Sequence, residues 1–133
     1  MKIEEQVLSR EQMAHLQELG VDTSDASMCW LRYEADEEVR YFVSVNDEMC
    51  YEMACTEPCP TYTIGDLIEK LPKNIEYYQL EIDWHGEYVG YVDWCCEQVM
   101  DYIGDYNFEN RPIIEALYDC LCWVAENHKE LIM

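Results

Sequence analysis

The sequence predicts an α+β domain in which two β-hairpins form a four-stranded antiparallel sheet with helices packed on one face, in the order αββαββα. Two pairs of alternating apolar stretches, each pair joined by a short polar connection, supply the hairpins. Two Ser/Thr-headed helix starts and a C-terminal apolar stripe supply the helices. At 133 residues, half of them hydrophobic, the chain reads as one domain over 1–133. A domain of that size buries roughly two-thirds of its unfolded surface.

The first helix starts at Ser9, where Ser-Arg-Glu-Gln is a capping box: the serine accepts from the Gln12 amide while the glutamine side chain reaches back. Met13, Leu16 and Leu19 form its apolar stripe, and Gly20 stops it. Val21 to Ala26, with Asp22, Thr23, Ser24 and Asp25, reads as a loop. Met28–Tyr33 and Val39–Val45 read as strands around the polar connection Glu34–Glu38. The segment from Asn46 to Pro60 reads as irregular, because Glu57-Pro58-Cys59-Pro60 excludes a helix and supplies no strand period; it ends in a β-bridge at Tyr62. Thr63 heads a second helix with Ile64, Leu67, Ile68 and Leu71 on one face and Pro72 just beyond it. Ile75–Trp84 is the best strand, with Tyr78, Leu80, Ile82 and Trp84 alternating against Tyr77, Gln79, Glu81 and Asp83. His85-Gly86-Glu87 turns it into Tyr88–Trp94, where Gly90 marks a bulge. After a polar and aromatic stretch, Asn110 caps the longest helix, with Pro112 in its first turn. Its stripe is Ile113, Ile114, Leu117, Leu121, Val124 and Ala125, and Asn127 ends it, leaving 128–133 as a short tail.

Charge narrows the partners. Twenty-nine acidic against eight basic side chains give a net charge of −21. Eleven tyrosines, four tryptophans and two phenylalanines exclude an acidic disordered segment. A chain this acidic is repelled by phosphate backbones and anionic membranes, so its expected partner is a basic protein surface, with neither direct nucleic acid nor membrane binding. The same repulsion favours a monomer. Residues 1–66 carry 15 acidic side chains and 67–133 carry 14, with four basic residues in each half, which reads as an evenly solubilised surface.

The eight cysteines read as reduced thiols of a cytoplasmic protein, since MKIEEQVLSREQ holds no secretory h-region and no stretch is long enough for a transmembrane helix. Cys50, Cys55 and Cys59, with Cys29 or His85 as a fourth ligand, are the best metal candidate, but they lack the two close pairs of structural zinc sites; small buried hydrophobes are the plainer reading. Cys95 and Cys96 point to opposite faces of a strand, and Cys120 and Cys122 diverge around a helix. His15, His85 and His128 sit in no nucleophile motif, five glycines form no phosphate loop, and 29 carboxylates make chance acid pairs uninformative. The expected protein is therefore not an enzyme, and no cofactor is implied. Tyr77, Tyr88, Tyr91, Tyr102 and Tyr106, set among acidic residues, are the candidate protein-binding residues, because tyrosine with carboxylate suits an arginine-rich surface. The plainer alternative is that these tyrosines simply rim a small sheet.

The strings LSREQMAHLQELGVDTSDASMCW, YEMACTEPCPTYTIGDLIEKLP and LYDCLCWVAENH resemble a family of small uncharacterised acidic proteins encoded in phages and mobile elements of gut anaerobic bacteria. The resemblance implies an intracellular accessory protein rather than a metabolic enzyme, and it brings no catalytic residues.

The leading expectation is a non-enzymatic interaction module that binds a basic protein through an acidic, tyrosine-bearing face. One alternative is a DNA-mimic inhibitor of a host nucleic-acid-binding or defence protein: a globule of this length is roughly 36 Å across, and duplex DNA carries about 21 charges over such a span. A mimic needs those charges on one face. The other alternative is a metal-binding or redox protein using Cys50, Cys55 and Cys59.

Overall fold

A computed structural model describes residues 5–35, 37–46, 59–95 and 97–132. The fold is α+β, with three α-helices and two antiparallel sheets among the described residues. Helix α1 (Arg10–Glu18) begins as expected: Ser9 Oγ accepts from Gln12 N at 3.1 Å, and Gln12 Oε1 accepts from Ser9 N at 2.9 Å. Gly20 follows with φ +89°, the left-handed stop that glycine adopts without a Cβ penalty. Helix α2 (Ile64–Lys70) has the same reciprocal cap between Thr63 and Asp66. The longest helix, α3 (Ile113–Asn127), differs from expectation at its start. Its cap is Pro112, which offers no side-chain acceptor, and Asn110 lies outside it.

The expected single four-stranded sheet does not form, because each hairpin recruits strands of its own and enters a separate sheet. Strands β1 (Met28–Ala35) and β2 (Glu38–Val45) pair over eight residues without a register shift. The connection between them is thus shorter than Glu34–Glu38, and Glu37 takes φ +66° within it. Strand β3 (Cys59–Thr61) adds to the other side of β1, giving the order β2-β1-β3. Thr61, at the end of β3, is buried and donates to Leu8 O at 2.7 Å, and the expected bridge falls one residue past Tyr62, between Val7 and Thr63.

The second sheet, in the order β4-β5-β6-β7, holds β4 (Asn74–Ile75), β5 (Tyr78–Asp83), β6 (Tyr88–Cys95) and β7 (Gln98–Asn107). The stretch expected as one strand from Ile75 to Trp84 is broken: Glu76, at φ +56°, and Tyr77 turn the chain so that Ile75 pairs with Tyr78. Trp84 lies past the end of β5, 64% exposed, with its ring edge-on to Phe108. Strand β7 occupies what reads as a polar and aromatic stretch, because two register shifts against β6 scramble its alternation. Gly90 does sit at one of these shifts, where Gly104 and Asp105 together oppose it.

The main core lies between the three helices and one face of the second sheet, with Leu16, Tyr62, Leu67, Val89, Tyr91, Leu117 and Leu121 among its buried side chains. The tail contributes a 3-10 turn (Lys129–Leu131) and the buried Ile132. Cys29 and Leu31 form a second small cluster on sheet β2-β1-β3. Among the described residues no helix is long and apolar enough to cross a membrane.

Candidate functional site: an anionic face on the second sheet

Pairing in the second sheet sorts its residues by face. Leu80, Ile82, Val89, Tyr91, Ile103 and Tyr106 point into the core beneath α3. Alternation then sends Gln79, Glu81 and Asp83 of β5, Tyr88, Gly90 and Val92 of β6, and Tyr102 of β7 to the opposite, outer face. Val92 is fully buried yet lies outside the main core cluster, as expected for a side chain covered on the far face of the sheet. Tyr102 stands directly across from Val92, and its ring meets that of Tyr88 edge to face at 5.6 Å. Gly90 lies between Tyr88 and Val92 on this face. A Cβ there would come within 2.7 Å of Asp105 Cα, so glycine is what lets β6 and β7 close at the bulge.

The electrostatics are one-signed. From Asn74 to Asn110 the chain carries Glu76, Glu81, Asp83, Glu87, Asp93, Glu97, Asp101, Asp105 and Glu109 and neither lysine nor arginine. Among the described residues none of these nine carboxylates is in an ion pair. Asp93 and Asp101 are directly opposed across β6 and β7, an arrangement that destabilises a sheet unless something neutralises it. Asp101 is held by the Tyr78 hydroxyl, which donates at 2.8 Å. On the outer face, burial, then the neighbouring Tyr102 and the carboxylates Glu81 and Asp83, push the Tyr88 hydroxyl up to about 12. Asp83 Oδ1 also accepts from the amides of His85 and Gly86, both at 2.9 Å, fixing the turn that leads into Tyr88.

The five tyrosines expected to form one binding surface divide between the faces. Tyr88 and Tyr102 are brought together on the outer face, Tyr102 being 43% exposed. Tyr77 lies apart in the β4–β5 turn, 66% exposed and stacked on Tyr78 at 4.9 Å. Tyr91 is a correction: it is fully buried, and its hydroxyl donates to Pro72 O at 2.8 Å, because odd-numbered residues of β6 face the core. Tyr106 is half-buried on the same inner face, where burial and then Cys120 of α3 raise its hydroxyl pKa.

The cysteines do not assemble. Cys50, Cys55 and Cys96 lie outside the described residues. Cys59 stands opposite Trp30 in the β1–β3 register, so it and the neighbouring Cys29 face opposite sides of that sheet, while His85 lies in the turn between β5 and β6 of the other sheet. Among the described residues no three metal-ligating side chains converge.

In α3, burial pushes the Cys120 thiol up to about 12 and the Cys122 thiol up to about 11. An unfolded thiol titrates near 9, so between about pH 9 and 12 the unfolded chain gives up protons that the folded chain keeps. The unfolding free energy is therefore expected to fall as pH rises through that window, by about 1.4 kcal/mol per pH unit for each such proton. Urea unfolding at about pH 8 and pH 10.5 checks this, and an unchanged midpoint would contradict it.

No family model, curated protein or solved structure matches the chain.

Proposed function

We propose that the chain is a non-enzymatic interaction module that binds a basic protein surface through the outer face of sheet β4-β5-β6-β7. The observation that carries this reading is the segregation of charge, with Glu81 and Asp83 on that face beside the Tyr88–Tyr102 pair, inside a stretch from Asn74 to Asn110 that holds nine carboxylates and no lysine or arginine. A guanidinium laid on an exposed tyrosine ring beside carboxylates gains cation–π and charge-assisted hydrogen bonding together. The chain itself stacks this way elsewhere, with the Arg10 guanidinium 3.7 Å from the centre of the Tyr41 ring. Like-charge repulsion turns phosphate backbones and anionic membranes away from the same face. The resemblance to proteins of mobile elements is in keeping with a host protein as the partner, met inside the cell.

The test is an arginine-rich peptide of about ten residues titrated into the full chain. Binding is expected to weaken as salt rises from about 50 to 300 mM, and to weaken about tenfold or more when Glu81→Gln and Asp83→Asn are combined. Equal affinity for the wild type and this variant would contradict the reading.

The same segregation favours a second reading, a DNA mimic, which needs its carboxylates concentrated rather than spread. In that case a nucleic-acid-binding protein captured by the chain is released by duplex DNA in proportion to its own DNA affinity. Retention of the complex in saturating DNA would remove the mimic reading and leave the first.

A further inference from the structure

We propose that β2 is a self-association edge, through which two copies of this chain join their β1–β2 hairpins into one continuous antiparallel sheet. Strand β2 is the terminal strand of the order β2-β1-β3, and among the described residues its outer edge pairs with nothing. Sheet edges are ordinarily blunted by lysine, proline, a bulge or shortness. Strand β2 has eight residues, no lysine or proline and an unbroken register against β1, and its two charged side chains, Glu38 and Arg40, pair with each other. It exposes large apolar side chains on both faces, Val39 at 47%, Tyr41 at 39% and Val45 at 56% on one and Phe42 at 42% on the other.

Charge and self-complementarity together select the occupant. The net charge of −21 argues for a monomer only where the acidic residues face one another, because repulsion is screened over about 8 Å at physiological salt. This hairpin carries its own cations. Arg40 pairs with Glu38 at 2.9 Å, Arg32 pairs with Glu34, and Arg10 lies over Tyr41. A two-fold antiparallel pairing centred on Phe42 sets it against the partner's Phe42, Tyr41 against the partner's Val43, Val39 against the partner's Val45, and Arg40 against the partner's Ser44. Every apolar side chain then meets another, and no like charges are opposed. A basic strand of the kind suited to the second sheet would leave these apolar side chains uncovered.

Sedimentation equilibrium of the full chain, from about 1 to 300 µM, tests this at about 50 and 500 mM salt. The expected result is a species of twice the 15.9 kDa chain mass that strengthens with salt, opposite in sign to binding of a basic partner. Combining Val39→Lys and Phe42→Lys is expected to weaken the association about tenfold or more. A monomer under all conditions, or a dimer indifferent to the two lysines, would overturn the proposal. Should the variant fail to fold, hydrogen exchange of the wild type decides. Amides of residues 40–44 gain protection with concentration if the edge pairs, and show none if it does not.

Discussion

Replacing Gly104 by alanine is expected to lower the unfolding free energy by roughly 2–4 kcal/mol, from a strained backbone and an overpacked contact acting together. Gly104 has φ +58°, in the left-handed region that a side chain disfavours, and an added Cβ would lie 2.5 Å from the Trp123 ring of α3. Trp123 has little freedom to yield, because its ring also packs against those of Tyr91 and His128. The same glycine sits in the β6–β7 register shift that sets Tyr102 across from Val92, so the substitution is expected to disturb the outer face as well as the core. A urea midpoint and the near-ultraviolet tyrosine signal report the two effects separately. A fully stable Gly104→Ala protein would show that α3 can move off the sheet.

Leu117→Ala is the second large effect, expected to cost about 2–5 kcal/mol. Leu117 is fully buried at the middle of α3, on the helix face shared with Ile114, Cys120, Leu121 and Val124, and this stripe is what covers the inner side of β6 and β7. Removing the isobutyl group forfeits its transfer free energy and leaves a cavity that close-packed neighbours fill only in part. Calorimetry on both variants, beside Tyr77→Ala as an exposed control, checks the ranking. A loss at Tyr77 as large as that at Leu117 would contradict the placement of the core.

The legible parts of the sequence are those governed by local chemistry. Ser9 with Gln12, Thr63 with Asp66, and Gly20 report their own surroundings, because a capping box or a left-handed stop is complete within four residues. Strand alternation was readable at Leu80 and Ile82 for the same reason. It misled at Ile75, since a two-residue turn at Glu76 and Tyr77 reverses the chain and shifts the core-facing parity from Ile75 to Tyr78, Leu80 and Ile82. It vanished in β7, where register shifts at Val89/Tyr91 and Asp93/Trp94 change which residues face the core. Sheet partnership is non-local, so the separation of the hairpins into two sheets left no mark on either hairpin's own sequence.

The candidate site was half legible. Composition singles out Tyr88 and Tyr102, but it singles out Tyr91 equally, whose place in β6 turns it into the core. Glu81 and Asp83 are legible as the polar side of the β5 alternation, but their approach to Tyr88 and Val92 depends on the register between strands, which neither strand carries alone. The charge segregation belongs to the stretch from Asn74 to Asn110 alone and disappears from the totals of the two halves, because Lys70, Lys73, Arg111 and Lys129 share the second half with it.

The most direct measurement is residue-resolved amide chemical-shift mapping of the full chain, titrated with the arginine-rich peptide at low salt. Perturbations are expected to concentrate on Glu81, Asp83, Tyr88, Val92 and Tyr102, with those of α1 and α2 unchanged, and to fade together as salt rises. Shifts spread evenly over every acidic surface, or centred on the helices, would contradict a binding role for the outer face of this sheet.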